Sequence, residues 1–169
     1  GDLGIEIPAE EVPLYQKILV KKANEARKPI IIATQMMESM IDNLTPSRAE
    51  VNDVANSVMD GADCIMLSGE TSVGKYPCEV VKKVGSIIAS VEDSQPVQNK
   101  FSVPKLKSSR IVTKTVCRHA ALIANEIKAS AICTLTFSGY TGWQISSWRP
   151  NSLVLVFPSN KRILSQLNL

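Results

Sequence analysis

Three short stretches of the chain combine glycine with acids, hydroxyls or amides in patterns that suit the binding of an anion or a metal ion. The first is Gly1-Asp2-Leu3-Gly4-Ile5-Glu6, where an acid stands between two glycines. The second, Ala33-Thr34-Gln35 and onward to Met40, and the third, Leu67-Ser68-Gly69-Glu70-Thr71, each follow an apolar run. In parallel α/β proteins ligands bind beyond the carboxyl ends of the strands, so chemistry is expected at these positions.

Each stretch also has a purely structural interpretation. The glycines around Asp2 are typical of a turn, and Thr34 is a residue type that caps helices. Residues 67–71 can either cradle an anion with backbone amides or simply join a strand to a helix. Considered one at a time, the three stretches leave these alternatives open.

Apolar periodicity predicts the elements that would position these stretches. Helical patterns alternate with short, uninterrupted apolar runs, and such runs are typical of strands buried on both faces of a parallel sheet. This alternation predicts right-handed βαβ crossovers and parallel sheets in both halves of the chain. The predicted helices cover residues 8–27, 51–60, 80–91, 111–128, 141–148 and 160–167, and the predicted strands cover 29–33, 64–67, 131–136 and 153–157.

The periodicity stops between residues 92 and 109, where polar residues and proline dominate. This composition is typical of a linker. We therefore predict a first domain over residues 1–92, a linker over 93–109 and a second domain over 110–169.

Composition and charge exclude several classes of function. The chain is 44% hydrophobic and 21% charged, as in soluble globular proteins, and its net charge of +3 comes from scattered residues rather than a basic block. Neither nucleic acid nor a membrane is expected as a partner, and a cytoplasmic location fits. The four cysteines form no Cys-x-x-Cys pair and His119 is the single histidine, so zinc is not expected.

Taken together, the motif-bearing strings resemble the pyruvate kinase family. The resemblance is carried by the string from Gly1 to Pro8, by Lys28-Pro29 through Met40, by Ser47-Arg48-Ala49-Glu50, and by the string from Asp53 through Thr71. These strings occur in the family's order and with similar intervals. The resemblance covers essentially the whole chain and is strongest over residues 1–80.

Pyruvate kinases transfer the phosphoryl group of phosphoenolpyruvate to ADP, giving pyruvate and ATP in glycolysis, and they use Mg²⁺ and usually K⁺. The resemblance implies the last strands of a partial (β/α)₈ TIM barrel, followed by an incomplete three-layer α/β C-terminal domain. It also implies that the whole protein is cytoplasmic and allosteric and forms a homo-oligomer, a tetramer in the family.

The resemblance also implies roles for individual residues. Asp2 would be one of two carboxylates that hold Mg²⁺, and the backbone around Gly1 and Asp2 would receive the substrate carboxylate. Thr34 would lie beside the substrate, and Ser68 and Glu70 would belong to a proton relay that reaches the carbon protonated as enolpyruvate becomes pyruvate. The family's phosphoryl-binding lysine, second metal carboxylate and K⁺ ligands correspond to positions before Gly1. A polypeptide of these residues alone is therefore expected to be inactive.

A loop in the second half resembles the effector-phosphate loop of the family members that sugar phosphates activate. Its candidate phosphate ligands are Thr136, Ser138, Gly139 and Thr141. Phe137 and Tyr140 stand where activated relatives can carry basic residues, so a plain connection from strand to helix is an equal alternative.

Two rival functions remain. A barrel carbon–carbon lyase that acts on 2-oxo acids would also place Mg²⁺ and an acid at the strand ends, but the string of residues 67–71 favours the kinase. A non-catalytic module that binds phosphorylated metabolites, or serves in assembly, is the other alternative.

Overall fold

The chain divides into two compact units, Gly1–Val97 and Gln98–Leu169. A computed structural model describes residues 3–33, 35–94 and 109–167 of the chain. Within the described residues, each unit contains a pair of parallel strands with helices packed on it. The predicted α/β class and the parallel strand pairing in both halves are confirmed.

The first unit begins with helices and builds its sheet from two short strands. Strand β1 pairs with β2 in the register Ile31↔Cys64, Ile32↔Ile65 and Ala33↔Met66. Two 3-10 helices, Ala9–Glu11 and Glu38–Ile41, supplement the regular elements. The regular elements are α1 (Leu3–Glu6), α2 (Val12–Ala26), β1 (Ile31–Ala33), α3 (Arg48–Asp60), β2 (Cys64–Met66), α4 (Gly69–Ser72) and α5 (Pro77–Ser94).

Local sequence signals explain where these helices begin and end. A capping box of Ser47 and Glu50 starts α3, and Gly61, at φ 97°, ends it in the left-handed conformation that glycine adopts without strain. Proline at the first position of α5 suits a helix start. Helix α5 continues to Ser94, so two residues of the predicted linker are helical; residues 95–108 lie outside the described residues.

The core of the first unit lies on one side of the sheet. Ile32 of β1 is buried there, but its neighbours Ile31 and Ala33 are exposed, which corrects the prediction of a strand buried on both faces. Among the described residues, Ile32 packs into an apolar cluster with side chains of α2, α3 and α5. The buried cluster consists of Val20, Ile32, Met36, Met37, Met40, Val54, Val80, Val84 and Ile87.

The second unit repeats the pattern of helix and strand. Strand β3 pairs with β4 along its whole length, from Ala131↔Leu153 to Thr136↔Pro158. A Cβ atom added to Gly142 would lie 2.9 Å from Val156 Cγ2, so glycine allows α7 to approach β4 closely. The elements are α6 (Ile111–Glu126), β3 (Ala131–Thr136), α7 (Tyr140–Ser146), β4 (Leu153–Pro158) and α8 (Lys161–Gln166).

Across the described residues, each helix is too short or too polar to span a lipid bilayer.

Substitution by alanine should have opposite effects on stability at Gly61 and at Gly85, two of the glycines of the first unit. Gly61 has a positive φ, whereas Gly85 lies inside α5 with nothing within 4 Å of an added Cβ. Gly61→Ala should therefore lower the free energy of unfolding by about 1–2 kcal/mol, and Gly85→Ala should raise it by about 0.5–1 kcal/mol. Urea unfolding of both variants checks this, and a gain in stability for Gly61→Ala would contradict the left-handed geometry.

Candidate functional site

The loops that follow β1 and β2 leave the sheet side by side. This follows from the register, because Ala33 and Met66, the last residues of the two parallel strands, are paired. Ser68 and Glu70 lie in the second loop and the short helix α4 that follows. Thr34, the residue after Ala33, lies outside the described residues, as do Gly1 and Asp2.

The buried carboxylate of Glu70 joins the two loops. Glu70 is 2% exposed, and its Oε1 accepts a hydrogen bond from the backbone N–H of Met37 at 3.3 Å. Its Oε2 accepts from the backbone N–H of Ser68 at 3.0 Å. Carboxylate acceptors make stronger bonds to N–H groups than neutral acceptors do, so one side chain ties the segment after Thr34 to Ser68.

Ser68 stands at the start of α4 with its hydroxyl uncommitted to the helix. Its carbonyl accepts from the N–H of Ser72 at 3.0 Å and from Thr71 Oγ1 at 3.2 Å, but its side chain does not cap α4. The residue is half-buried. A half-buried hydroxyl on a fixed backbone is suited to donating or accepting a proton within hydrogen-bonding distance of a ligand.

Further contacts hold the same two loops together. The N–H of Lys75 donates to the carbonyl of Ile41 at 2.9 Å, and Lys75 Nζ forms an exposed ion pair with Asp42 at 2.8 Å. A Cβ atom added to Gly69 would meet Ile41 Cδ1 at 3.3 Å. The loops therefore pack closely enough for glycine to be the fitting residue at position 69.

Glu50 is a buried acid whose contacts reach well beyond its own helix. Its Oε1 accepts from the N–H of Ser39 at 2.6 Å, and its Oε2 accepts from the N–H of Ser47 at 2.7 Å. The Ser39 hydroxyl makes a further hydrogen bond to Oε2. Burial alone would raise the pKa of Glu50, but the hydrogen bonds from Ser39 and Ser47 outweigh it and hold the pKa below its ordinary value. The capping-box sequence predicts the contact with Ser47, while the contact with Ser39 has no local signal.

Gln35 adopts an uncommon backbone conformation directly after Thr34. Its φ of 55° lies in the left-handed region, which is disfavoured for residues with a Cβ atom. Sequence periodicity does not reveal such a position, because glutamine is not a residue that signals positive φ.

The candidate effector loop of the second unit runs from the end of β3 into α7. Thr136 ends β3, Ser138 is exposed, and Gly139 precedes α7 with φ 78°. Thr141 Oγ1 accepts a hydrogen bond from Thr134 Oγ1 at 3.2 Å, so this hydroxyl already has a partner within the unit.

Arg110 supplies a positive charge near this loop that the sequence pattern did not reveal. Its guanidinium carbon lies 4.6 Å from the centroid of the Tyr140 ring, which is a cation–π distance.

A metal site is not formed by the described residues alone. Within residues 3–33, 35–94 and 109–167, no three His, Cys, Asp or Glu side chains converge so as to hold a metal ion. Asp2, the candidate Mg²⁺ ligand, lies outside these ranges.

Comparison with known proteins assigns both units to one family. The family model described as "Pyruvate kinase, barrel domain" matches residues 1–81, and the one described as "Pyruvate kinase, alpha/beta domain" matches residues 114–169. The chain belongs to the pyruvate kinase family. Its resemblance to that family, first inferred from the strings around Asp2, Thr34 and Glu70, is thereby confirmed.

Individual pyruvate kinases are similar along the chain. The enzyme of Geobacillus stearothermophilus is 43% identical over 169 residues, which are 100% of this chain and 29% of that protein. The enzyme of Dictyostelium discoideum is 45% identical over 164 residues, covering 94% of this chain and 32% of that protein. The enzyme of Leishmania mexicana is 44% identical over 174 residues, covering 100% and 34%. The chain thus spans about a third of the length of these curated relatives.

The lowered pKa of Glu50 predicts how stability depends on pH. A carboxyl group with a depressed pKa in the folded state stabilises the protein above its unfolded pKa, near 4.5, and this contribution is lost as pH falls through the folded pKa. Glu50→Gln should lower the free energy of unfolding by about 1–3 kcal/mol at pH 7. The difference from the unsubstituted chain should shrink below pH 4.5.

Urea unfolding at several pH values measures this difference. The matched control is Glu79→Gln, because Glu79 forms an exposed ion pair with Lys82 one turn along α5. The control should change stability by less than about 1 kcal/mol. A deficit of Glu50→Gln that stays constant from pH 7 to pH 3 would mean that the ionised form of Glu50 is not what stabilises the fold.

Proposed function

We propose that this chain supplies part of the catalytic site of a pyruvate kinase, which transfers the phosphoryl group of phosphoenolpyruvate to ADP and gives pyruvate and ATP. The observation that carries the proposal is the tie that Glu70 makes between the loops after β1 and β2. It brings Ser68 close to the segment that follows Thr34, and these are the loops to which the family resemblance gives active-site roles.

In this proposal residues 1–92 are the last part of a (β/α)₈ barrel, residues 93–109 are a linker, and residues 110–169 begin a three-layer α/β C-terminal domain. The parallel pairing of β1 with β2 supports the barrel assignment, because all strands of such a barrel are parallel. The matched family models support the same order of barrel and α/β domains.

The reaction requires one bond exchange and one proton transfer. The bond between phosphorus and the enol oxygen breaks, a bond from phosphorus to an oxygen of ADP forms, and the resulting enolate takes a proton at its terminal carbon. Thr34 is proposed to lie beside that carbon, with Ser68 and Glu70 in the proton relay. Glu70 accepts the N–H of Ser68, so it fixes the backbone that carries the Ser68 hydroxyl.

The metal and substrate sites are proposed from the same resemblance. Asp2 would contribute one oxygen ligand to Mg²⁺, which supplies charge neutralisation for the transferring phosphoryl group when bound. The backbone of Gly1 and Asp2 would receive the substrate carboxylate. The ligands of K⁺ would be residues of the whole protein other than residues 1–169. The proposed whole protein is a cytoplasmic, allosteric homotetramer.

A polypeptide of residues 1–169 alone should show no turnover. Phosphoryl transfer depends on several charges acting together, and the lysine and second carboxylate that the family uses are not among these residues. A steady-state assay that couples pyruvate formation to NADH oxidation measures this. Turnover near that of an intact pyruvate kinase would contradict the assignment of the missing roles.

The site residues are best tested in a chimaera in which residues 1–169 replace the aligned 169 residues of the Geobacillus stearothermophilus enzyme. We expect this chimaera to be active. Thr34→Ala and Ser68→Ala should each lower kcat by about 10²-fold or more, with little change in KM, because they act in proton transfer. Ser72→Ala, which removes an exposed hydroxyl from the same helix as Glu70, is the matched control and should leave kcat unchanged. Equal effects of Ser68→Ala and Ser72→Ala would exclude Ser68 from the relay.

We further propose that Thr136, Ser138, Gly139 and Thr141 bind a phosphate of an allosteric effector, with Arg110 near the loop as a source of positive charge. The exposed Ser138 hydroxyl and the placement of Arg110 against Tyr140 support this. The plain connecting loop is the alternative.

Titration of the chain with inorganic phosphate, followed through backbone amide chemical shifts, tests the effector loop. Shifts at residues 136–141 should saturate, and Ser138→Ala should weaken binding about tenfold, as expected for loss of a hydrogen bond to a charged group. Ser165→Ala, an exposed serine of α8, is the control and should bind phosphate as the unsubstituted chain does. Unchanged spectra at high phosphate would leave the plain connecting loop as the explanation.

A further inference from the structure

Residues 35–41, which we call the tethered segment, follow β1 and consist of Gln35, two buried methionines and a 3-10 helix. A backbone segment outside regular structure needs acceptors for its N–H groups wherever it is shielded from water. In the tethered segment two of these groups are satisfied by carboxylates from separate helices. Glu70 of α4 accepts the N–H of Met37, and Glu50 of α3 accepts the N–H of Ser39.

Glu50 does more than cap its own helix. A capping box needs only the exchange between Ser47 and Glu50, which is present as Glu50 N–H to Ser47 Oγ at 3.3 Å and Ser47 N–H to Glu50 Oε2 at 2.7 Å. The same carboxylate also accepts both the N–H and the hydroxyl of Ser39. Two of its three accepted bonds therefore go to the tethered segment and not to α3.

The tethered segment begins with a strained residue. Gln35 has a φ of 55°, and such a conformation persists in a residue with a Cβ atom only where its surroundings enforce it. On either side of Gln35 the structure describes the pairing of Ala33 with Met66 and the carboxylate bonds at Met37 and Ser39. Gln35 directly follows Thr34 in the sequence, so a constraint on the backbone of Gln35 acts next to the proposed catalytic residue.

We propose that Glu50 is a positioning residue, which acts with Glu70 through the tethered segment to hold the backbone at Gln35, the residue directly after the proposed catalytic Thr34. The functional half of this inference rests on the proposed role of Thr34. Neither α3 nor the string from Ser47 to Glu50 has any other part in the proposed reaction, so this role is distinct from substrate contact.

The first test measures backbone amide hydrogen exchange in the chain of 169 residues. Glu50→Gln keeps the size of the side chain, but it removes the negative charge and replaces one of the two acceptor oxygens with an NH₂ group that cannot accept. Exchange at Ser39 should accelerate about tenfold, the effect of losing a bond to a charged acceptor, whereas exchange at Met37, whose acceptor is Glu70, should accelerate less. If Glu50→Gln fails to fold, Ser39→Ala should give a smaller acceleration at Ser39, because it removes the hydroxyl bonds to Glu50 and from the Ser47 N–H but keeps the backbone bond to Glu50.

Ser47→Ala is the matched control. It removes the Ser47 hydroxyl, and with it one half of the capping box, but leaves the Ser39 bonds of Glu50 in place. It should accelerate exchange at the start of α3 and leave the tethered segment unchanged. Equal exchange at Ser39 in the Ser47→Ala and Glu50→Gln variants would overturn the proposal, because Glu50 would then act only as a helix cap.

The second test uses the chimaeric enzyme described above. Glu50→Gln should lower kcat about tenfold with little change in KM, and should slow exchange of the methyl protons of pyruvate with deuterium to the same extent, because both depend on Thr34. Ser47→Ala should leave both rates unchanged. Normal rates in Glu50→Gln would overturn the positioning role even where amide exchange is faster. A chimaera without activity before any substitution would contradict the proposed function, whereas the amide-exchange comparison decides the tethering by Glu50 independently.

Discussion

The buried carboxylate of Glu70 is the interaction on which the geometry of the candidate site depends. Two parallel strands of three residues each offer little backbone pairing by which to fix the loops that follow them. Glu70 compensates for this because its two oxygens accept N–H groups from both loops, at Met37 and at Ser68. A carboxylate that is 2% exposed makes these bonds away from competing water, where they are stronger than on the surface.

Glu50 of α3 is a second buried carboxylate that accepts backbone N–H groups from another part of the first unit. It lies at the third position of α3 and accepts from Ser39, eleven residues earlier in the chain. Two acids from separate helices thus hold N–H groups two residues apart in one short segment. Between them lies Glu38, which is exposed, while the neighbouring Met37 and Met40 are buried. The segment is therefore held in two ways at once: carboxylates accept its backbone N–H groups, and its apolar side chains are buried.

The regular elements could be predicted from the sequence because their signals are local. Helix α3 has its capping box and Gly61, and β3 was predicted with the observed bounds from its apolar run between turn residues. Burial was predicted less well. An apolar run such as residues 29–33 indicates a strand but not whether one or both faces are covered, since that depends on helices far away in sequence. In this chain Ile31 is 45% exposed, whereas its neighbour Ile32 is buried.

The site could be predicted only as a set of segments. The string of residues 67–71 pointed to Ser68 and Glu70, but not to the bond between Glu70 and Met37, because that contact joins residues 33 positions apart without any spacing rule. The left-handed backbone conformation of Gln35 could not be predicted from the sequence either, since glutamine is not a residue type that favours positive φ. A positive φ in a residue with a Cβ atom persists where tertiary contacts enforce it, and the contacts proposed to do so here are those of Glu50 and Glu70 with residues 35–41. It follows that the motif strings identify the residues of the candidate site, including Glu50 and Glu70, but not the contacts between strings that fix their geometry.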